Sequence, residues 1–308
     1  MDGIVMRSTG SWYEVRDADS GEIFKARVRG RLRLSGSRST NPVVVGDQVG
    51  CTVDEPGEVW IERVAPRRNY IIRRSSNLSR ESHIIAANLD QAIVVATLFA
   101  PTTAPEFVDR FLVTCEAYSI PAAIVLNKTD LAHAGGADEA VRHFVSIYEG
   151  AGYPVMLTSA TNGLGISELR NHLKGRTTLI SGNSGVGKST LIKAIAPGLD
   201  IRIGEISKAH QKGMHTTTFS QMYSLGGEGY IIDTPGIKGF GLIDIGGGEL
   251  YHYFPDLMRV SPDCQYYNCT HTHEPGCAVI RAVDEGRIAP ERYVSYLKML
   301  EEDEKYRK

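Results

Sequence analysis

Eight consecutive residues in the second half of the chain form a phosphate-binding pattern. From Gly182 to Ser189 they read Gly-Asn-Ser-Gly-Val-Gly-Lys-Ser, which fits G-x-x-x-x-G-K-[ST] in full. Glycines let successive backbone N–H groups of such a loop point inward, and the helix that follows adds the positive end of its dipole. Lys188 would reach the β- and γ-phosphates, and Ser189 would offer a hydroxyl to Mg²⁺. The predicted triphosphate site consists of Gly182, Asn183, Ser184, Gly185, Val186, Gly187, Lys188, Ser189 and Thr190.

A second motif, Asn127-Lys128-Thr129-Asp130, indicates which base is bound. It follows an apolar run and resembles the Asn-Lys-x-Asp guanine motif of GTP-binding proteins. The Asp130 carboxylate can accept hydrogen bonds from the N1–H and 2-amino groups of guanine, which adenine does not offer in that arrangement. We therefore expect guanine, and an ATP-using enzyme is the alternative that Asp130 disfavours. The resemblance places Lys128 along the phosphate loop and the base, and a backbone N–H of Ser159-Ala160 at guanine O6.

Two later motifs are expected to contact Mg²⁺ and the γ-phosphate. Asp233-Thr234-Pro235-Gly236 follows an apolar strand and resembles the Asp-x-x-Gly motif. In that motif the aspartate, here Asp233, holds Mg²⁺ through water, and the N–H of the glycine, here Gly236, senses the γ-phosphate. In the hydroxyl-rich run 216–218, Thr217 is the predicted switch residue that closes over Mg²⁺. The start of a β-strand is the other interpretation of that run.

These motifs occur in a permuted order. Ordinary GTPases begin with the phosphate loop, whereas here the guanine motif precedes it and the switch motifs come last. Because the termini of a domain often lie close together, a circular permutation can preserve the packing. Strand-like and helical runs alternate over residues 75–250, which predicts an α/β domain with a largely parallel sheet. The expected buried strands are 92–98, 122–126, 155–158, 177–181 and 230–233.

Four metal-ligand residues lie close together near the C-terminus. Cys264, Cys269, His271 and Cys277 have the spacing Cys-x4-Cys-x-His-x5-Cys, and His273 is a spare candidate. Three thiolates and one imidazole suit tetrahedral Zn²⁺, and four protein ligands leave no open position for catalysis. Unligated, reduced thiols are the alternative. We expect one structural zinc ion in a C-terminal, α-rich domain over residues 251–308.

The first 74 residues predict a small β-barrel. Five short runs rich in β-branched and aromatic residues fit an OB-fold, with strands expected at 4–8, 12–16, 23–34, 47–53 and 59–64. In the third strand, cations alternate with apolar residues, so the cations share one face. A solvated outer face is one interpretation, but like charges in register repel, which favours a polyanion-binding face. The predicted RNA-binding residues are Lys25, Arg27, Arg29, Arg31 and Arg33.

Composition excludes several classes of protein. The chain of 308 residues has 42% hydrophobic residues and a formal net charge of −2, so it is neither disordered throughout nor basic throughout. The longest apolar run, 92–101, falls short of the ~20 residues that span a bilayer, and no signal peptide is evident. Five cysteines without a signal peptide argue against a disulfide framework. We expect a cytoplasmic, monomeric protein without membrane contact.

Taken together, the three segments resemble the ribosome-small-subunit-dependent GTPase family, RsgA (also called YjeQ or YloQ). The resemblance covers nearly the whole chain: OB-like domain 1–74, permuted GTPase domain 75–250 and zinc domain 251–308. It implies a GTPase that acts late in small-subunit assembly, is stimulated by that subunit and contacts ribosomal RNA. The family usually has Gly-Arg-His-Thr-Thr-Thr in its switch, and here Met214 replaces the arginine.

Two residues near the switches bear on the reaction. Where Ras-like enzymes carry the glutamine that orients the attacking water, this chain has Ile237. We therefore expect slow intrinsic hydrolysis, with His215 or a group from the ribosome positioning the water. A loop histidine on RNA phosphate is the alternative role of His215. An RNA-binding scaffold with a structural nucleotide site is the alternative function.

Overall fold

The computed structural model describes residues 1–9, 12–29, 42–55, 58–74, 82–199, 220–233 and 247–307. The chain forms two compact units. The first contains Met1–Ile93, Ile166–Ser184 and Lys188–Gly241, and the second contains Val94–Gly165, Gly185–Gly187 and Leu242–Lys308. Residues 185–187 of the phosphate loop thus belong to the same unit as the guanine motif.

Five strands of the first unit close into a barrel. They are β1 (Asp2–Ser8), β2 (Tyr13–Asp17), β3 (Ile23–Val28), β4 (Gln48–Glu55) and β5 (Glu58–Val64). Their order is β1-β2-β3-β5-β4, and β4 pairs back onto β1; only the β3–β5 pair is parallel. One side chain in two faces inward, so the core consists of residues such as Val5, Val15 and Ile61. The predicted barrel is confirmed.

The rest of the first unit contains the strands that lead to the phosphate loop and the second switch. They are β11 (Thr177–Ser181), β12 (Gln221–Ser224) and β13 (Tyr230–Asp233). β13 is parallel to β11 and antiparallel to β12, and β12 also pairs with β1 of the barrel. The helices are α4 (Ile166–Leu173) and α5 (Lys188–Ile195), and β6 (Tyr70–Arg74) forms a hairpin with β7 (Ser82–Ala87).

The boundary between the two units falls within β8 (Gln91–Ala96), a strand buried along its whole length. In the second unit β9 (Ala122–Leu126) lies beside β8 and is parallel to β10 (Val155–Leu157). The helices here are α1 (Pro105–Ala117), α2 (Thr129–Ala134) and α3 (Asp138–Ala151). α3 buries residues at helical spacing and ends at Gly152, whose φ of 103° suits glycine.

The C-terminal part of the second unit is helical. A 3-10 segment (Gly247–Tyr253), α6 (Pro255–Val260), a second 3-10 turn (Ser261–Asp263), α7 (Ala278–Asp284) and α8 (Pro290–Arg307) follow one another. Phe254, Leu257, Tyr296 and Met299 form a small core here that also includes Val113 of α1. None of the helices in the described ranges is long and apolar enough to cross a membrane.

The observed strands match the predicted ones closely, except at four strands. The third barrel strand ends at Val28, so Arg29 follows it, and residues 30–34 of the prediction lie outside the described residues. β6 and β7 were not predicted. Neither was β12, which buries only Met222 and so shows no apolar pattern.

Candidate functional site

Asn127 ties three loops together in the second unit. It lies just after β9 and is 2% exposed. Its Nδ2 donates to the Val186 carbonyl at 2.9 Å, and its Oδ1 accepts from Thr158 Oγ1 at 3.1 Å and the Ala160 N–H at 3.3 Å. The guanine motif, the loop after β10 and the phosphate loop are therefore joined by one buried amide. The resemblance places a backbone N–H of Ser159-Ala160 at guanine O6, and the N–H of Ala160 is bonded to Asn127 here.

Lys128 lies along the phosphate loop, as the resemblance implies. Its backbone is left-handed, with φ 63°, and its Nζ donates to the carbonyls of Gly185, at 2.7 Å, and Ala100. Gly187 has φ +93°, and a Cβ there would lie 2.6 Å from Asn127 Nδ2. Only glycine allows this close approach of the two motifs. The part played by Ala100 was not predicted, because a backbone carbonyl leaves no signal in residue type.

Asp130 carries an unused acceptor. Its Oδ1 is buried and has no hydrogen-bond partner among the described residues, and its Oδ2 receives only a 3.4 Å contact from Thr161 Oγ1. A buried carboxylate oxygen without a donor costs free energy, so a ligand that brings N–H groups suits this position. Guanine brings two. Ser159 is buried beside this loop, and its hydroxyl lies 3.0 Å from that of Thr161.

Lys188 and Asp233 form the charged part of the site in the first unit. Lys188 is 9% exposed, and its Nζ donates to the carbonyls of Gly182 and, at 3.0 Å, Asn183. Burial lowers the pKa of Lys188 and raises the pKa of Asp233, and attraction between the two opposes both shifts. Asp233 Oδ1 is buried and has no partner among the described residues. The Lys188 ammonium is held only by neutral carbonyls, so it is suited to bind a phosphate. That Asp233 oxygen is suited to bind a hydrated Mg²⁺.

The remaining residues of the phosphate loop differ in exposure. Val186 is fully buried and anchors the loop, and Ser189 is half-buried in the first turn of α5. Ser184, Gly185 and Thr190 are exposed. The predicted residues His215, Thr217, Gly236, Arg31 and Arg33 lie outside the described residues.

The four predicted metal ligands come together. One ligand atom of each of Cys264, Cys269, His271 and Cys277 lies within 4.8 Å of the others. His271 Nδ1 is 3.5 Å from Sγ of Cys264 and 3.5 Å from Sγ of Cys277. Tetrahedral zinc, with Zn–S and Zn–N bonds of about 2.3 and 2.05 Å, separates N and S by about 3.6 Å. Burial raises the pKa of the Cys269 thiol to about 12, so a cation is needed to hold three thiolates here. The cluster can hold a metal ion.

Neighbouring side chains fix the loop that carries His271. Glu274 accepts hydrogen bonds from Thr270, Thr272 and His273. Burial opposes ionisation of its carboxyl, but the bonds from Thr270 and His273 help to lower its pKa below the ordinary value. From α8, Tyr293 Oη donates to the His271 carbonyl and Tyr296 Oη to the Thr270 carbonyl, both at 2.7 Å. The spare candidate His273 is not in the ligand cluster; its ring contacts the Thr272 hydroxyl.

The cationic strand of the barrel is exposed, but its charges are not equivalent. Lys25, Arg27 and Arg29 are all exposed, and Ala26 between the first two is buried. Arg29 forms ion pairs with Asp54 at 2.5 Å and Glu62 at 3.2 Å. Arg29 therefore differs from Lys25 and Arg27, because acidic residues of β4 and β5 form ion pairs with it, and its part in RNA binding stays a prediction.

A guanine loop that precedes its phosphate loop in the chain, yet is bonded to it through Asn127 and Val186, defines a circularly permuted P-loop GTPase. Residues 64–243 match the family model of the RsgA GTPase, and residues 2–61 match that of the RsgA N-terminal domain. The chain belongs to the RsgA GTPase family.

Relatives in this family match over their full length. The small ribosomal subunit biogenesis GTPase RsgA 2 of Bacteroides thetaiotaomicron is 52% identical, covering 100% of this chain and 99% of the relative. The protein of that name (RsgA) from Porphyromonas gingivalis W83 is 50% identical with the same coverage. The structure of YjeQ from Thermotoga maritima has a TM-score of 0.78 and 36% identity, covering 98% of each chain. That of YloQ, a circularly permuted GTPase, has a TM-score of 0.75 and 29% identity, covering 100% of this chain and 96% of that one.

Proposed function

We propose that this protein hydrolyses GTP to GDP and phosphate during late maturation of the small ribosomal subunit, and that the subunit stimulates the reaction. Relatives at 50–52% identity over the full length carry the name small ribosomal subunit biogenesis GTPase. The protein acts in the cytoplasm as a monomer. It is organised as an OB domain (1–74), a GTPase domain (75–250) and a zinc domain (251–308).

One observation favours GTP over ATP as the substrate. The Oδ1 of Asp130, which has no partner among the described residues, lies in the same compact unit as residues 185–187 of the phosphate loop. Asn127 bonds the guanine loop to that segment. A purine with N–H donors on its edge and a phosphate tail satisfies both ends. The adenine ring offers Asp130 no such donors, so ATP leaves the buried oxygen unpaired.

The residues around the phosphates have separable roles. Lys188 moves from the Gly182 and Asn183 carbonyls to the β- and γ-phosphates, where its charge opposes the charge that develops during transfer. Ser189, Thr217 and Asp233 would hold Mg²⁺, which would supply positive charge to neutralise the phosphates. Gly236 senses the γ-phosphate through its N–H.

The group that positions the attacking water is not at the position where Ras-like enzymes carry glutamine. Ile237 cannot orient water, so His215 or a group from the ribosome does so, and intrinsic turnover is slow. His215→Ala should then lower subunit-stimulated turnover. If stimulated turnover is unchanged, His215 has no part in the reaction.

The two outer domains supply the contacts with RNA. The barrel strand that carries Lys25 and Arg27 is exposed, and the Cys3His cluster has the donor set and spacing of a closed structural zinc site. Cys264, Cys269, His271 and Cys277 would hold the zinc ion with four protein ligands, so it would order the C-terminal domain and take no part in hydrolysis.

The decisive experiment measures multiple-turnover hydrolysis of GTP and of ATP, with and without purified small subunits. We expect GTP-specific turnover that rises strongly with subunits and is lost in Lys188→Ala. Lys193→Ala, on the same helix, is the matched control and should be active. Tight GDP binding without hydrolysis under either condition would instead establish the RNA-binding scaffold.

The base assignment has its own test. Asp130→Asn reverses one hydrogen-bond acceptor into a donor, which suits xanthine in place of guanine. We expect affinity to shift from GDP toward xanthosine diphosphate in a direct binding assay. An Asp130→Asn protein that keeps the wild-type preference for GDP would contradict the assignment.

A further inference from the structure

The outer face of the barrel carries an aromatic and cationic feature that the motifs do not assign. Strands β2, β3 and β5 are neighbours, and Arg27 of β3 is in register with Trp60 of β5. On the other side Tyr13 of β2 pairs with Ala26, so Trp12 comes next, beside Arg27. Both tryptophans of the chain thus flank one arginine across three strands. We call this the Trp–Arg–Trp row.

The side chains of this row face away from the barrel core. Ala26, Val59 and Ile61 are buried, and side chains alternate along a strand, so Arg27 and Trp60 point outward. Trp12 is 40% exposed, and the guanidinium carbon of Arg27 lies 3.8 Å from the centroid of a Trp12 ring. This distance is that of a stacked cation–π pair. The row presents a flat, cationic and partly aromatic surface.

Free positive charge is concentrated at one end of this face. Lys25 and Arg27 have no ion-pair partner in the part of the chain that the structure describes, whereas Arg29 is ion-paired twice. Glu14 lies opposite Lys25, but its carboxylate forms an ion pair with Arg7 at 3.7 Å. The uncompensated charge therefore lies next to the stacked tryptophan, where a polyanion with flat aromatic groups is complementary.

We infer that the Trp–Arg–Trp row binds unpaired nucleotides of RNA. A base stacks on the Trp12–Arg27 pair, and the adjoining phosphates contact Lys25. The inference rests on the proposed function, since it specifies the RNA chemistry that the barrel recognises. Barrels of this class bind oligonucleotides on the face of strands 2 and 3, and stacking on aromatic rings accepts any base. A continuous duplex buries the faces of its bases, so it does not fit.

Intrinsic fluorescence tests this directly, because both tryptophans lie in the row. Full-length protein is titrated with a single-stranded oligouridylate of about ten nucleotides, the size of an OB-fold site. We expect tryptophan quenching that saturates with binding, and weaker quenching by duplex RNA of equal length. Trp12→Leu should weaken affinity by about tenfold, and Trp12→Tyr, which keeps a flat ring, should restore most of it.

Charge variants test whether RNA binds to the particular cations of the row or to positive charge in general. Arg27→Gln and Lys25→Gln should each weaken binding and reduce the salt dependence by about 0.7 in the slope of log K against log salt. Arg63→Gln, which removes an exposed arginine already paired with Asp2, should bind within twofold of wild type. All variants must bind GDP normally, which verifies folding.

Three results would overturn the inference. RNA could bind without any tryptophan quenching, Arg63→Gln could lose as much affinity as Arg27→Gln, or RNA could fail to bind while an acidic protein does. If any of these results is found while subunit-stimulated GTP hydrolysis is intact, the RNA-binding role of the row is refuted and the proposed function is kept. If RNA binds normally at the row but the subunit does not stimulate GTP hydrolysis, the proposed function is refuted instead.

Discussion

Replacing Asn127 by alanine tests whether one buried amide assembles the nucleotide site. The change removes the hydrogen bond to the Val186 carbonyl at 2.9 Å and the two that Asn127 Oδ1 accepts at 3.1 and 3.3 Å. No water reaches this position readily, because Asn127 is 2% exposed. At least one buried polar group is left without a partner.

The magnitude follows from that count. A buried group without a partner costs about 1–3 kcal/mol, which should appear as a loss in the free energy of unfolding. Because GDP binds the ordered loops, the free energy needed to order them in the variant is subtracted from the binding free energy. We therefore expect the Kd for GDP to rise by about 5- to 140-fold, since 1.4 kcal/mol corresponds to a factor of ten.

The assay pairs GDP titration calorimetry with urea denaturation of the nucleotide-free protein. Asn127→Asp keeps an acceptor for Thr158 and Ala160 but loses the donor to Val186, so it should share most of the binding defect. Thr161→Ala removes only a 3.4 Å contact to Asp130 and serves as the control. If Asn127→Ala binds GDP within twofold of wild type, the amide does not organise the site.

Three further predictions concern stability and metal binding. Arg292 is fully buried between Asp109, at 2.7 Å, and Asp256, at 2.8 Å, so Arg292→Met should cost about 3–5 kcal/mol in urea denaturation. Adding Asp109→Asn and Asp256→Asn should recover most of that loss. A zinc chelator should increase hydrogen exchange over residues 264–277 and leave the barrel unchanged. Burial lowers the pKa of His172 below its ordinary 6.5, so the folded state favours the neutral ring. The free energy of unfolding should therefore fall as the pH drops below 6.5. In His172→Gln this pH dependence should be smaller by the contribution of that ring.

The parts of the site that depend on local backbone chemistry were predicted from the sequence. A glycine-rich loop before a helix binds phosphate through its own N–H groups, so its residue pattern contains the chemistry. The Cys3His spacing likewise predicted a cluster, because its members lie within one short segment. The structure places Cys264, Cys269, His271 and Cys277 together.

Contacts between distant segments could not be predicted in this way. Asn127 was predicted to bind nucleotide, but its partner Val186 is 59 positions away and contributes a backbone carbonyl. Arg29 looks like its neighbours Lys25 and Arg27 in the sequence, and only the folded barrel brings Asp54 and Glu62 to it.

The sequence by itself determined which chemical groups are present and the local loops that carry them: amides for phosphate, a carboxylate for the base and soft ligands for a metal ion. Tertiary structure alone decided which of these groups stay unpaired and which are satisfied by the protein. Asp130 Oδ1 has no partner among the residues that the structure describes, whereas Arg29 is ion-paired. The physical reason is that residue type fixes hydrogen-bonding capacity and charge, while burial and partners depend on segments that meet only when the chain folds.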